Sequence, residues 1–134
     1  ALYFQGNNVF WLDWIACIVG FAAVIIQIIS DQQMYAFRKS LIKPETMRKG
    51  LWFYSRHPNY FGEILFWFSL FLFAISSNIS FAWVLIGSLI MYALIAIGSV
   101  SMMDNRSLQR RPDFHDYMDT TPAIFLNLLK RNIQ

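Results

Sequence analysis

The stretch FAWVLIGSLIMYALIAIGSVSMM, residues 81–103, decides the fold class of this chain. Its 23 residues include no Asp, Glu, Lys, Arg or His. At about 1.5 Å per residue, a helix of this length exceeds the roughly 30 Å hydrocarbon core of a lipid bilayer. The stretch therefore predicts a helix that crosses a membrane.

Two further apolar runs have the same character. Residues 10–30 are interrupted only by Asp13, Gln27 and a polar end, and the helical periodicity continues beyond them until Pro44 stops it. Residues 58–76 form the other run, which opens with a proline that suits the first helical turn, where no N–H is needed. The predicted fold is all-α: a polytopic membrane bundle of about three transmembrane helices with a short interfacial C-terminal helix.

The chain is predicted to form one membrane domain, residues 7–134, with no second domain. Residues 2–6, Leu-Tyr-Phe-Gln-Gly, resemble what a protease-cleavage linker leaves behind, so we interpret residues 1–6 as an expression-tag remnant. In chain order, the predicted parts are spans at 10–30, 58–76 and 81–103, an interfacial segment at 104–119 and a C-terminal tail at 120–134.

Composition excludes several functional classes. Apolar residues make up 57% of the chain and charged residues 14%, against roughly 25% charged residues in a soluble domain. Cys17 is the single cysteine, so no disulfide can form within the chain. The scattered glycines form no phosphate-binding loop after a strand, and no nucleic-acid-binding module is present.

The basic residues predict the orientation of the bundle. Of 11 Lys and Arg residues, six lie between the first two spans and five follow the third, while the turn at 77–80 carries none. All of them therefore share one membrane face. By the positive-inside rule this face is cytoplasmic, which places Asn7 on the opposite side.

Two polar stripes at helical spacing are candidate binding residues. Asn59 and Glu63 stand four apart, and so do Gln27 and Asp31, with Arg38 seven residues further on. An ionisable group inside a membrane span is costly and normally faces a protein interior or a wet cavity. A carboxylate accepts hydrogen bonds from sugar hydroxyls, and a guanidinium donates hydrogen bonds to phosphate oxygens. Asp31 and Arg38 together therefore predict a site that binds ribose and phosphate groups.

A further group of polar side chains is predicted at the same level of the membrane. Arg56, His57 and Tyr60 precede or open the second span, and after the third span come Asp104, Arg106 and Tyr117. His115 is the only other imidazole and no cysteine accompanies either histidine, so we expect no metal site.

Two motifs carry a family resemblance: GLWFYSRHPNYFGE at 50–63, and SMMDNRSLQRRP at 101–112 with Tyr117 beyond it. With Asp31 and Arg38, they make residues 11–126 resemble the C-terminal domain family of steroid 5-alpha-reductases, and within it a bacterial, DUF1295-like branch. The resemblance implies a helical reductase of the bacterial inner membrane. In it, NADPH enters from the cytoplasmic side and passes hydride to a double bond in a lipid-like or steroid-like substrate.

The same resemblance implies roles for particular residues. Gln27, Asp31, Arg38, Asn59 and Glu63 match the family's nucleotide-binding positions, with Gln27 where the steroid enzymes usually have Asn. The family's proton-donating Glu and Tyr belong to earlier helices and nothing in this chain matches them. We therefore expect a C-terminal half, or a fragment that does not turn over alone, with its catalytic residues unknown.

Two other functions stay open at this point. Isoprenylcysteine carboxyl methyltransferases and phospholipid methyltransferases share the Arg-His-Pro-x-Tyr opening and bind S-adenosylmethionine, but they commonly carry a paired Glu-Glu where this chain has Asp104-Asn105. That difference favours the reductase. A non-catalytic membrane bundle would bind neither cofactor. The expected partners are the lipid bilayer and a lipophilic substrate, without nucleic acid, and either self-association or further helices would complete so small a bundle.

Overall fold

The computed structural model describes residues 11–40 and 46–128, which form helices joined by short connections. The helices are α1 (Trp11–Lys39), α2 (Leu51–Tyr54), α3 (Pro58–Ser77), α4 (Ile79–Arg110) and α5 (Phe114–Thr120). Of these, α1, α3 and α4 are long and apolar enough to cross a membrane. The predicted all-α membrane bundle is therefore confirmed.

Some sequence predictions fall outside the described residues. They are the tag remnant at 1–6, the position of Asn7, the helix stop at Pro44 and the tail from residue 129 onward.

The third long helix differs from its predicted bounds. Residues 104–110, which the sequence assigns to an interfacial segment, continue α4. The helix ends when Arg111 adopts an extended conformation, with φ −138° and ψ 105°. The residue before a proline is pushed out of the helical region, so Pro112 accounts for the end of α4.

Small residues allow α1 and α3 to pack closely as antiparallel neighbours. Ala16 and Ala23 are fully buried on α1, and Gly20 faces Ser69 of α3. A Cβ atom added to Gly62 would lie 2.8 Å from the carbonyl oxygen of Ala23. Membrane helices commonly associate in this way, because small residues let two backbones approach each other.

Helix α4 packs against another face of α3. The Ser88 hydroxyl donates to the carbonyl oxygen of Trp67 at 3.0 Å, and Ile95, Val100 and Ile124 form a buried cluster. Within α4 the segment Leu94–Val100 is π-helical. Ile95 and Val100 are five residues apart and share the cluster, as the i to i+5 pattern of a π-helix allows.

The long helices have unequal extents at the basic end of the bundle. Helix α3 begins at Pro58, whereas α1 continues past Gln27, its neighbour opposite Gly62, to Lys39. Helix α4 continues past Asp104, the neighbour of His57, to Arg110. The described basic residues all lie at this end: Arg38, Lys39, Arg48, Lys49, Arg56, Arg106, Arg110 and Arg111. Because α1 and α4 extend beyond the start of α3, space is left above the first turn of α3.

Candidate functional site

A cavity of about 390 Å³ occupies the space above the start of α3. The ends of α1 and α4 form its sides, the entry to α3 forms its floor, and the 46–52 segment and α5 close it. Its lining consists of Asp31, Met34, Tyr35, Arg38, Thr46, Met47, Trp52, Arg56, His57, Asn59, Tyr60, Met103, Ser107, Arg111, Phe114 and Tyr117. The volume lies within the roughly 300–1,000 Å³ typical of small-molecule sites.

The turn that places Trp52 in the cavity wall depends on Gly50. Gly50 has φ +62°, and a Cβ atom there would lie 2.5 Å from the side-chain amide of Gln33. This amide accepts the Leu51 N–H at 3.0 Å, which starts α2. The Trp52 indole then donates to the carbonyl oxygen of Ser30 at 3.1 Å and ties α2 to α1.

The C-terminal segment holds the other side of the cavity. Tyr117 is 2% exposed, and its hydroxyl donates to the carbonyl oxygens of Trp52 and Ser55. Burial raises the pKa of the Tyr117 hydroxyl well above its ordinary value of 10.0, so the group stays neutral and remains a donor. The N–H of His57 donates to the carbonyl oxygen of Ala123 at 3.0 Å, which fixes the segment against the entry to α3.

The loop before α2 is joined to the start of α5. The Thr46 hydroxyl donates to Asp113 Oδ1 at 2.7 Å, and Arg48 donates to the carbonyl oxygen of Asp113 at 2.5 Å. The Arg48 guanidinium also lies over the ring of Tyr117, 5.4 Å from its centroid. These contacts hold two distant parts of the chain together over the cavity.

A buried carboxylate lies behind the cavity floor. Asp104 is 5% exposed, with Oδ1 2.9 Å from His57 Nε2 and Oδ2 3.2 Å from Arg56 Nη2. The His57 ring stacks on Tyr60 with the centroids 5.3 Å apart. Asp104 thus contacts two residues of the cavity lining, and one of these, His57, contacts a third, Tyr60.

Two residues of the cavity lining each have one fully buried polar atom without a hydrogen-bond partner among residues 11–40 and 46–128: Asn59 Oδ1 and Arg56 Nε. Leaving a buried polar group unsatisfied costs roughly 1–3 kcal/mol, so most such groups find a partner. Both residues line the cavity, together with Arg38, Arg111 and Asp31. The lining of the cavity therefore includes three guanidinium groups, one carboxylate and one amide.

Comparison with known proteins decides the family. A family model described as a protein of unknown function (DUF1295) matches residues 3–121. The chain belongs to the DUF1295 family. This is a steroid 5-alpha-reductase-like family, which confirms the predicted resemblance at the level of the family. Neither the curated proteins nor the solved structures gave a match to this DUF1295 protein.

The structure brings most of the predicted site residues together. Seven of them line the one cavity described above: Asp31, Arg38, Arg56, His57, Asn59, Tyr60 and Tyr117. They come from α1, the entry to α3, and α5, which are distant in sequence.

Four predicted residues of this DUF1295 protein lie outside the cavity lining. The stem of Gln27 packs against Gly62 between α1 and α3. Glu63 is one turn deeper than Asn59, and its Oε1 accepts the indole N–H of Trp67 at 3.0 Å. Asp104 lies behind the floor, and Arg106 is exposed on α4.

Several lining residues were not predicted as site residues, among them Thr46, Trp52, Ser107 and Arg111. For α4 a signal was available. Met103 and Ser107 stand four apart, a spacing that places both side chains on one helix face, and Arg111 follows four residues later, directly after the end of the helix. Thr46 and Trp52 lie on a connection, where no periodicity indicates which side chains face inward.

No group of three His, Cys, Asp or Glu residues that could hold a metal ion occurs in the described part of this DUF1295 protein.

Proposed function

We propose that the residues lining the cavity form the NADPH-binding part of a membrane reductase that reduces a double bond in a lipid-like substrate. The observation that supports this most is a cavity lined by three guanidinium groups together with the carboxylate of Asp31 and the amide of Asn59. Family membership supports the reductase-like class.

The donor set fits a nicotinamide dinucleotide. Arg38, Arg56 and Arg111 would hold phosphate, because a guanidinium presents a planar fork of donors to phosphate oxygens. Asp31 would accept ribose hydroxyls. Asn59 would pair with the nicotinamide carboxamide, which carries both a donor and an acceptor. A cavity of about 390 Å³ holds part of the dinucleotide.

When bound, the reduced nicotinamide supplies a hydride equivalent. The side chains of this chain bind and orient it, and the aromatic and methionine lining, including Tyr60, Trp52 and Met103, excludes water. We assign cofactor binding to these residues and no proton transfer, because the family's proton-donating Glu and Tyr have no counterpart among them.

The proposed orientation places the cavity at the cytoplasmic face. Every described Lys and Arg lies at the cavity end of the bundle, as the positive-inside rule requires of a cytoplasmic end. NADPH would then enter from the cytoplasm, and the lipophilic substrate would come through the bilayer.

Thermal stabilisation of the purified protein tests the cofactor. A ligand that binds only the folded state stabilises it by about 2.7 kcal/mol at a concentration 100 times its Kd. We expect NADPH to raise the apparent Tm. Asp31→Asn and Asn59→Ala should reduce this shift, whereas Glu63→Gln, outside the lining, should reduce it less. Asp116→Asn, on the exposed side of α5, is the control and should keep the full shift.

The same measurement with NADH and S-adenosylmethionine separates the alternatives. Three guanidinium groups repel the positive sulfonium of S-adenosylmethionine, so we expect no shift with it. A shift with that compound alone would indicate a methyltransferase. No shift with any of the three would leave the non-catalytic bundle and remove the proposal.

A further inference from the structure

We infer that Asp104 is a positioning residue, which orders the Arg56 and His57 side chains of the cavity wall and does not touch the ligand. A π-helical segment of α4 sets the direction in which it points. The effect on ligand binding rests on the function proposed above, whereas the effect on the two side chains does not.

The contacts of Asp104 carry the first part of the inference. The carboxylate is 5% exposed and is absent from the cavity lining, but both of its partners line the cavity. Each oxygen has a different partner, Nε2 of His57 at 2.9 Å and Nη2 of Arg56 at 3.2 Å. A carboxylate only accepts, so the proton of His57 in this contact is on Nε2.

Ordering of these two side chains extends along the wall. His57 stacks on Tyr60 at a 17° interplanar angle, so fixing the imidazole also fixes the phenol. Arg56 keeps its Nε unpartnered while one Nη group is bound to Asp104. A guanidinium held at one side presents its remaining donors in a fixed direction, which reduces the entropy lost on binding.

The π-helical segment Leu94–Val100 explains why Asp104 faces α3. In an uninterrupted α-helix, the nine residues from Ile95 to Asp104 would rotate the side-chain direction by roughly 900°. This rotation would place Asp104 on the face opposite the buried Ile95. The wider π turn instead brings Val100 to the face of Ile95. Asp104 follows Val100 by four residues and therefore lies on that same face.

The sign of the effect of Asp104 on ligand binding separates positioning from charge neutralisation. If Asp104 only neutralised the arginines, its removal would leave a more positive cavity and tighten the binding of NADPH. If it positions them, removal weakens binding in spite of the added positive charge. We expect the Kd of NADPH to rise about tenfold in Asp104→Leu, because a hydrogen bond to a charged group is lost. Asp104→Glu should recover part of the lost affinity.

The first experiment needs no ligand. In ¹⁵N-histidine-labelled protein, only His57 and His115 give ring signals. We expect the Nε2 proton of His57 to be protected from exchange with water, and to lose protection in Asp104→Leu. His115 is exposed beside Asp119 and should not change. Asp116→Leu, the same substitution at an exposed position, should leave both the His57 protection and the Kd of NADPH unchanged.

A second variant tests the same inference if Asp104→Leu does not fold. Ile97 is exposed on α4. Deleting Ile97 removes one residue from the π segment, which can then form a regular α-helix with Asp104 still facing α3. We expect His57 protection to survive this deletion.

The outcomes keep the two proposals apart. An unprotected His57 Nε2 proton in the wild type or tighter NADPH binding by Asp104→Leu would overturn the positioning role. Loss of His57 protection in the Ile97 deletion would overturn the role of the π segment. A wild type that shows His57 protection but no binding of NADPH would overturn the proposed function and leave the ordering of Arg56 and His57 by Asp104 intact.

Discussion

Tyr117 connects α5 to the segment that leads into α3. Its hydroxyl donates to the carbonyl oxygens of Trp52 and Ser55, and the side chain is almost completely buried. The single O–H proton of Tyr117 is thus shared between two buried backbone acceptors. Its state of protonation therefore matters for the closure of the cavity.

We expect Tyr117→Phe to destabilise the protein by about 1–3 kcal/mol, because two buried carbonyl oxygens lose their donor. The substitution should also change the dependence of stability on pH. Burial raises the pKa of Tyr117 in the folded state, so its contribution is complete below about pH 10 and is lost as the pH rises further. Unfolding in denaturant at pH 8 and pH 11 measures both effects. An equal loss of stability at pH 11 in both proteins would contradict the assignment.

At the residue scale, the sequence indicated seven of the residues that line the cavity. Asp31 and Arg38 share a stripe of α1, and Arg56, His57, Asn59 and Tyr60 share the entry to α3. Spacing gives the face of a helix but not the neighbour that occupies it. Gln27 shares the stripe of Asp31, yet it packs against Gly62, and only the absence of a side chain at that glycine makes room for it.

At the scale of elements, the packing of α1 against α3 depends on the close approach at Gly62. We expect Gly62→Ala to destabilise the bundle by about 1–3 kcal/mol, because a Cβ atom would meet the Ala23 carbonyl oxygen at 2.8 Å. Gly87→Ala in α4 is the matched control, since a Cβ atom there meets nothing within 4 Å. It should be neutral or slightly stabilising, as alanine favours helix more than glycine does.

Loss of helical signal during titration with a denaturing detergent measures both glycine variants. Equal stability of Gly62→Ala and the wild type would show that α1 and α3 can move apart without cost.

The sequence predicted the number of long helices but not the internal irregularity of α4. The segment Leu94–Val100 consists of apolar and small residues all round, so its pattern contains no polar face from which a change of period could be read. The end of α4 at Arg111 was in principle predictable, because Pro112 follows it. The charged residues 104–110 instead led to the expectation of a separate segment.

At the scale of the whole molecule, all described basic residues lie at the cavity end of the bundle. We expect this end to be cytoplasmic. With Cys17 replaced by serine, Asn105→Cys should react with a membrane-impermeant maleimide only in inside-out vesicles. Ser77→Cys, at the other end of α3, should react only in right-side-out vesicles. The reverse pattern would place the cavity outside the cytoplasm and remove the route proposed for NADPH.

The unequal extents of the long helices have a consequence for the choice of lipid. At about 1.5 Å per residue, α3 is roughly 30 Å long, close to the thickness of the hydrocarbon layer, whereas α1 is roughly 43 Å. The cavity therefore opens where acyl chains give way to headgroups. Lipids with longer acyl chains would place the opening of the cavity inside the hydrocarbon layer, and lipids with shorter chains would expose Glu63 to water. Membrane thickness would therefore regulate how readily a water-soluble and a lipid-soluble molecule meet in the cavity.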